Sequence, residues 1–97
     1  MSSEVKIKSY AFYEAVSLLN QVNASLNCSI NKINKEGNKL ANTWNSKSGS
    51  NFNLKNKKLI SNMKLLSNGI GDLAAELNKA NSGYQQMDNF IASKIGF

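Results

Sequence analysis

Apolar residues recur at every third or fourth position over most of the chain, in two long runs separated by a polar stretch. The first run is Phe12, Val16, Leu19, Val22, Leu26, Ile30, Ile33, Gly37, Leu40 and Trp44. Such steps draw one stripe along a helix, close to the about 3.5-residue spacing of a coiled-coil seam. The second run is Leu59, Met63, Leu66, Ile70, Leu73, Leu77, Ala80, Tyr84, Met87, Ile91 and Ile95. Counting back from Leu59 by three and then four reaches Asn56 and Phe52, so Phe52 opens the same stripe. The pattern predicts a single all-α domain over residues 1–97, an antiparallel two-helix hairpin. Helix one spans 9–44 behind Ser9 as N-cap, and helix two spans 52–95. Residues 45–51, rich in Ser, Asn and Gly, form the turn. Residues 1–8 form a short arm, in which Val5 and Ile7 alternate with Lys6 and Lys8 in a strand-like way.

One place in the second run invites a break. Asn68-Gly69-Ile70-Gly71-Asp72 contains a turn dipeptide, and each Gly costs a helix about 1 kcal/mol relative to Ala. The stripe nevertheless passes through Leu66, Ile70 and Leu73 without a slip in phase, which predicts a continuous helix. Much of the remaining helical surface is Asn, Ser and Lys. Asn and Ser are middling helix formers, so packing of the stripe has to hold the helices.

A chain below about 100 residues builds only a small core. Off the two stripes, Ala11 and Leu18 mark a flank of the first helix, and Leu54, Leu65 and Phe90 a flank of the second. Leu18, Leu54, Leu65 and Phe90 are therefore candidates for a contact face. A second copy or another hairpin seated there would complete a four-helix bundle. The plainer reading is scattered surface hydrophobes, which require no partner.

Composition removes most chemistry. There is no His, no Pro, no Arg and one Cys, with six acids among 97 residues. No nucleophile–base pair, metal-ligand cluster or cofactor motif can be assembled from that set, so the expectation is a protein that is not an enzyme. Cys28, at helical spacing, reads as a small half-buried hydrophobe. The first residues lack the apolar core of a signal peptide and no apolar run approaches membrane-spanning length. The expectation is a chain that is soluble when made and leaves the cell, if it does, without a cleaved leader.

Charge is unevenly placed. Residues 1–31 are net neutral, residues 32–64 are net +7 and residues 65–97 are net −1. In a hairpin the basic segment, with Lys35, Lys39, Lys47, Lys55, Lys57 and Lys58, falls at the turn end. Lys35 and Lys39 suit the negative C-terminal end of the first helix. Lys55, Lys57 and Lys58 lie toward the positive end of the second, which suggests an acidic partner or an anionic surface, or mere solubilisation.

The polar stretch carries a second kind of information. Trp44 stands at its start, Ser46 two residues later, Ser48 two further on and Phe52 eight residues after Trp44. Toward the other end, Tyr84-Gln85-Gln86-Met87-Asp88 places an acid four residues after a Tyr. With two long helices and this length, the chain resembles the WXG100 or ESAT-6-like family exported by type VII secretion systems. In that family a Trp-x-Gly turn joins two helices and a Tyr-x-x-x-Asp/Glu motif directs export. Trp44 and Phe52 match the turn, Ser46 replaces its Gly, and Tyr84 with Asp88 matches the export motif.

The resemblance implies a non-catalytic secreted protein whose partners are itself, another hairpin, or the helical N-terminal domain of a toxin, together with the secretion machinery. The role is that of a small effector, or of a targeting partner for a larger LXG-type toxin. The alternative is a cytoplasmic basic protein that binds nucleic acid or an acidic protein. The absence of Arg and of any docking motif argues against nucleic acid.

Overall fold

The computed structural model describes the backbone of residues 3–95 and the side chains of residues 8–94. It is an all-α helical hairpin. Helix α1 runs Ser3–Thr43 and helix α2 runs Lys47–Ile95, joined by Trp44, Asn45 and Ser46.

Both expected boundaries shift. Helix α1 starts at Ser3, so the described part of the expected arm is helical; residues 1 and 2 lie outside the described residues. No Gly or Pro interrupts this segment, and Val5 and Ser9 precede Phe12 at helical steps. The alternation of Val5 and Ile7 was too short to outweigh that phase. Ser9 is thus interior to α1, not its cap. It is buried, and its Oγ accepts a hydrogen bond from Gln85 Nε2 at 3.2 Å. The turn is shorter than 45–51, because α2 begins at Lys47 rather than Phe52. Helix α2 continues through Gly69 and Gly71, as the unbroken phase predicts.

Each helix contributes to two compact units. One comprises Met1–Gln21 with Ile70–Phe97, here the terminal unit; the other comprises Val22–Gly69, here the turn unit. In the terminal unit, Val16 of α1 and Ala74 of α2 are buried between the helices, with Phe12, Leu19, Ile70 and Leu77 half-buried. Asn81 is also buried there, and its Oδ1 finds no partner. In the turn unit, Ile30 and Ile60 are buried, and Leu26, Ile33 and Met63 are half-buried. Two kinds of close contact hold this unit in register. The Ser67 hydroxyl donates to Asn23 Oδ1 at 2.7 Å and accepts from Asn27 Nδ2 at 3.1 Å. Gly37 is buried, and a Cβ added there would run into the side-chain amide of Asn56.

The seam differs from the expected stripe by one row on α2 and, on α1, at the single positions Val22 and Leu40. On α1 the half-buried residue after Leu19 is Asn23, while Val22 is 47% exposed. On α2 the row Met63, Ile70 and Leu77 faces inward as expected. Its companion row is Ile60, Ser67, Ala74, Asn81 and Asp88, not Leu59, Leu66, Leu73, Ala80 and Met87. The two candidate rows flank Met63, Ile70 and Leu77 on opposite sides, so periodicity alone fits both. Small residues decide between them. Gly37 leaves room for the Asn56 side chain, Ser67 and Ala74 are buried on the chosen row, and Asn23 and Asn27 satisfy the Ser67 hydroxyl that such packing buries. Leu59, Leu66, Leu73 and Met87 are left 49–59% exposed.

Glycines separate the two roles available to them. A Cβ at Gly69 or at Gly71 meets nothing within 4 Å. Substituting either by Ala is expected to raise stability by about 1 kcal/mol, read from urea denaturation followed by circular dichroism. Gly37→Val is expected to lower it by about 1–3 kcal/mol through overpacking against Asn56. A gain at position 37 would mean that the helices do not approach closely there.

Candidate functional site

The turn is built within the turn unit by an end and a start that nearly touch. Helix α1 closes with the Trp44 N–H donating to the Leu40 carbonyl at 2.9 Å. The Thr43 hydroxyl adds contacts to the Leu40 carbonyl at 3.1 Å and the Lys39 carbonyl at 3.3 Å. The Ser46 N–H donates back to the Trp44 carbonyl at 3.1 Å, which turns the chain. Helix α2 then opens on Ser46. Its Oγ accepts from the Gly49 N–H at 3.1 Å, and its carbonyl accepts from the Ser50 N–H at 3.0 Å. This is an N-cap: a serine oxygen satisfies one of the amide donors that a helix start leaves without a partner.

The geometry accounts for Ser46 standing where the resemblance expects Gly. Position 46 needs a capping oxygen. The need for a residue without a side chain moves to Gly49, which is buried; a Cβ there would run into the Trp44 carbonyl oxygen and ring. Trp44 and Phe52 meet with ring centroids 5.8 Å apart at an interplanar angle of 37°. Tilted aromatic pairs of this kind contribute about 0.5–1.5 kcal/mol beyond their buried area. Trp44 still leaves 39% of its surface exposed, so the turn displays an aromatic edge.

Tyr84 and Asp88 belong to the terminal unit. The Tyr84 ring packs on Phe12 with centroids 5.9 Å apart, and the Lys8 ammonium lies 5.3 Å from its centroid. Tyr84 keeps about half its surface exposed because it borders a groove of about 410 Å³ rather than a closed core. Lys8, Ala11, Phe12 and Ala15 line one side of the groove, and Leu77 and Tyr84 the other. Asp88 follows one helical turn later and is half-buried on the row of Ala74 and Asn81. The pair therefore lies on the inner side of α2, with the ring edge accessible.

The four proposed contact residues are all exposed: Leu18 and Phe90 in the terminal unit, Leu54 and Leu65 in the turn unit. They do not form one flank. By helical register, Leu18 falls toward the side of the exposed leucine row, while Leu54, Leu65 and Phe90 fall on the outer side of α2. The larger apolar surface is the row that sequence reasoning assigned to the core. In the turn unit it comprises Leu59 and Leu66 of α2 with Val22 and Leu40 of α1. In the terminal unit it comprises Leu73 and Met87, on the side where the groove opens. The opposite flank of the turn unit is polar, with Asn27, Asn34, Lys57 and Lys64; that of the terminal unit carries Asn20, Asn78 and Gln85 together with the exposed Tyr13.

The lysines are exposed but spread around the turn unit rather than forming one patch. Lys55 and Lys39 border the leucine row, Lys57 borders the polar flank, and Lys35, Lys47 and Lys58 point outward by register. Lys39 pairs with Glu36 at 3.4 Å in an exposed contact, which stabilises little. The last turn of α1 holds no basic residue, so Lys35 and Lys39 do not cap its negative end. Cys28 is exposed rather than half-buried. Among the described residues no group of His, Cys, Asp and Glu could hold a metal ion, and no helix is long and apolar enough to cross a membrane.

Ser46 gives the turn its sharpest test. Ser46→Ala is expected to cost about 1 kcal/mol and Ser46→Gly only a few tenths. Trp44, the single Trp, reports the loss through its fluorescence in urea titrations. Equal losses for both variants would remove the capping role. Compared with protein-family models, with curated proteins and with solved structures, the chain matches none.

Proposed function

We propose that this chain is a non-catalytic interaction protein that works by helix-on-helix packing. It is exported by a type VII (ESX-like) system, as a small effector or as the targeting partner of a larger LXG-type toxin. A second hairpin, from another copy or from the helical N-terminal domain of the toxin, would complete a four-helix bundle. One observation carries the reading: in the turn unit one flank of the helix pair is an exposed row of large apolar side chains and the other is polar, and the apolar row continues on α2 as Leu73 and Met87. Rows of this kind at heptad spacing are what a further helix buries.

The motifs add the export part. The turn brings Trp44 against Phe52, and Tyr84 offers a ring edge one helical turn from Asp88. Both suit a receptor that reads a folded hairpin rather than an unfolded tail. The Tyr84 ring packs on Phe12, so its removal also weakens local packing, and export has to be measured alongside folding.

Tyr84→Ala and Asp88→Ala are expected to abolish secretion from the producing cell while the circular dichroism spectrum stays helical. Undiminished secretion of both variants would sink the export reading. Native mass spectrometry of the complex purified from those cells is expected to show more than one chain. The double variant Leu73→Asn with Met87→Asn should reduce it to a single chain. An unchanged mass would move the interface away from the terminal unit's part of the exposed row.

A further inference from the structure

Within the turn unit, we infer that the exposed row Val22, Leu40, Leu59 and Leu66 seats an amphipathic helix with acidic flanks, supplied by another polypeptide. The inference rests on the reading of the chain as a helix-packing protein and names the chemistry of the partner on this face.

The apolar part is set by register. Leu59 and Leu66 are seven residues apart on α2 and 49% and 57% exposed. Val22 and Leu40 of α1 lie on the same flank of their own seam row, 47% and 42% exposed. A heptad advances about 10.5 Å along a helix, so a helix laid along this flank meets Leu59 and Leu66 on successive heptads of its own. Between them the half-buried Leu26, Ile33 and Met63 form the floor.

Charge selects the partner. Lys32 and Lys39 border the row on α1 and Lys55 borders it on α2, all exposed, and Glu36, two heptads after Val22, sits between the two α1 lysines on the same face. Glu36 is the sole acid in residues 22–69, against eight lysines, and it is already engaged by Lys39. A second copy laid on the same face would bring Lys32, Lys39 and Lys55 against the same three lysines of its partner. Like charges across an interface disfavour the wrong partner strongly and slow its encounter. A helix with Glu or Asp beside its apolar stripe meets no such opposition and gains from steering.

The test uses the full chain and two labelled synthetic peptides with the same Leu heptads, one flanked by Glu and one by Lys, followed by fluorescence anisotropy. The Glu peptide is expected to bind at least tenfold more tightly than the Lys peptide, and to weaken several-fold between low and moderate salt. Leu59→Asn with Leu66→Asn should weaken it at least tenfold; Leu54→Asn with Leu65→Asn, on the outer side, should not. Circular dichroism confirms that each variant is helical. The triple charge reversal Lys32→Glu, Lys39→Glu and Lys55→Glu should switch the preference to the Lys peptide.

Equal binding of the two peptides, or binding of neither, overturns the inference. So does self-association abolished by Leu66→Asn in sedimentation, which would make a second copy the occupant. Binding of anionic vesicles that is lost in Leu59→Asn with Leu66→Asn, with no peptide preference, would make a membrane the occupant. Recovery of a native helical partner without acidic flanks leaves the packing function standing and removes this inference alone.

Discussion

A helix with apolar side chains on three adjacent rows cannot bury all of them against a single neighbour, and α2 is such a helix. Ile60 and Ala74 lie on one row, Met63, Ile70 and Leu77 on the next, and Leu59, Leu66, Leu73 and Met87 on the third. Two rows make a seam; the third remains in water. Counted by area alone, the leucine row would be the better one to hide, since burying a Leu side chain fully is worth about 1.5–3 kcal/mol. The hairpin instead buries the row of Ser67, Ala74 and Asn81. Among the described residues no side chain is fully buried. The hairpin thus draws modest stability from its own seam and keeps a row of Leu and Met side chains available.

That choice explains how much of the fold was legible. Helix, hairpin and the unbroken passage through Gly69 and Gly71 follow from steps of three and four, because phase is preserved over many turns and errors at single positions average out. The identity of the seam row does not follow in the same way. Met63, Ile70 and Leu77 are common to both possible seams, and hydropathy favours the wrong neighbour. The deciding information is pairwise: Asn23 and Asn27 with Ser67, Gly37 with Asn56, Ser9 with Gln85. None of these pairs has a signature within one helix. The helix starts were missed for a local reason. Ser9 looks like a cap but is a seam residue, and Ser46 lies within the Ser-rich stretch that was assigned whole to the turn.

The candidate site divides along the same line. Trp44 with Phe52 was legible as a turn clasp from two aromatics bracketing turn residues. Tyr84 as a half-exposed ring followed from its place on the stripe. The accessory residues were not legible. Gly49 beneath Trp44, Phe12 beneath Tyr84 and the Ala11–Ala15 side of the groove come from different places in the sequence and meet only after folding. The lysines were legible as a count and as a location along the chain, but not as a surface, because residues three to nine apart distribute around two helices.

The polar contacts matter most for what they prevent. In the turn unit, rolling α2 by one row would bring Leu59 and Leu66 into the seam and expel Ser67. That rotation would break the hydrogen bonds that the Ser67 hydroxyl donates to Asn23 and accepts from Asn27, and would part Gly37 from Asn56. At the chain reversal it would also disturb Gly49 under Trp44 and the Trp44–Phe52 clasp. Neutral hydrogen bonds contribute only about 0.5–1.5 kcal/mol each, but leaving their partners buried and unpaired costs more. Alternative packings of one helix on another differ by similar amounts, so a few such contacts suffice to choose among them. A single buried Asn fixes register in coiled coils on the same principle. Here the outcome is directional. Fixing the rotation of α2 holds the leucine row outward as a face of defined chemistry, where a freely rolling helix would hide it in its own hairpin.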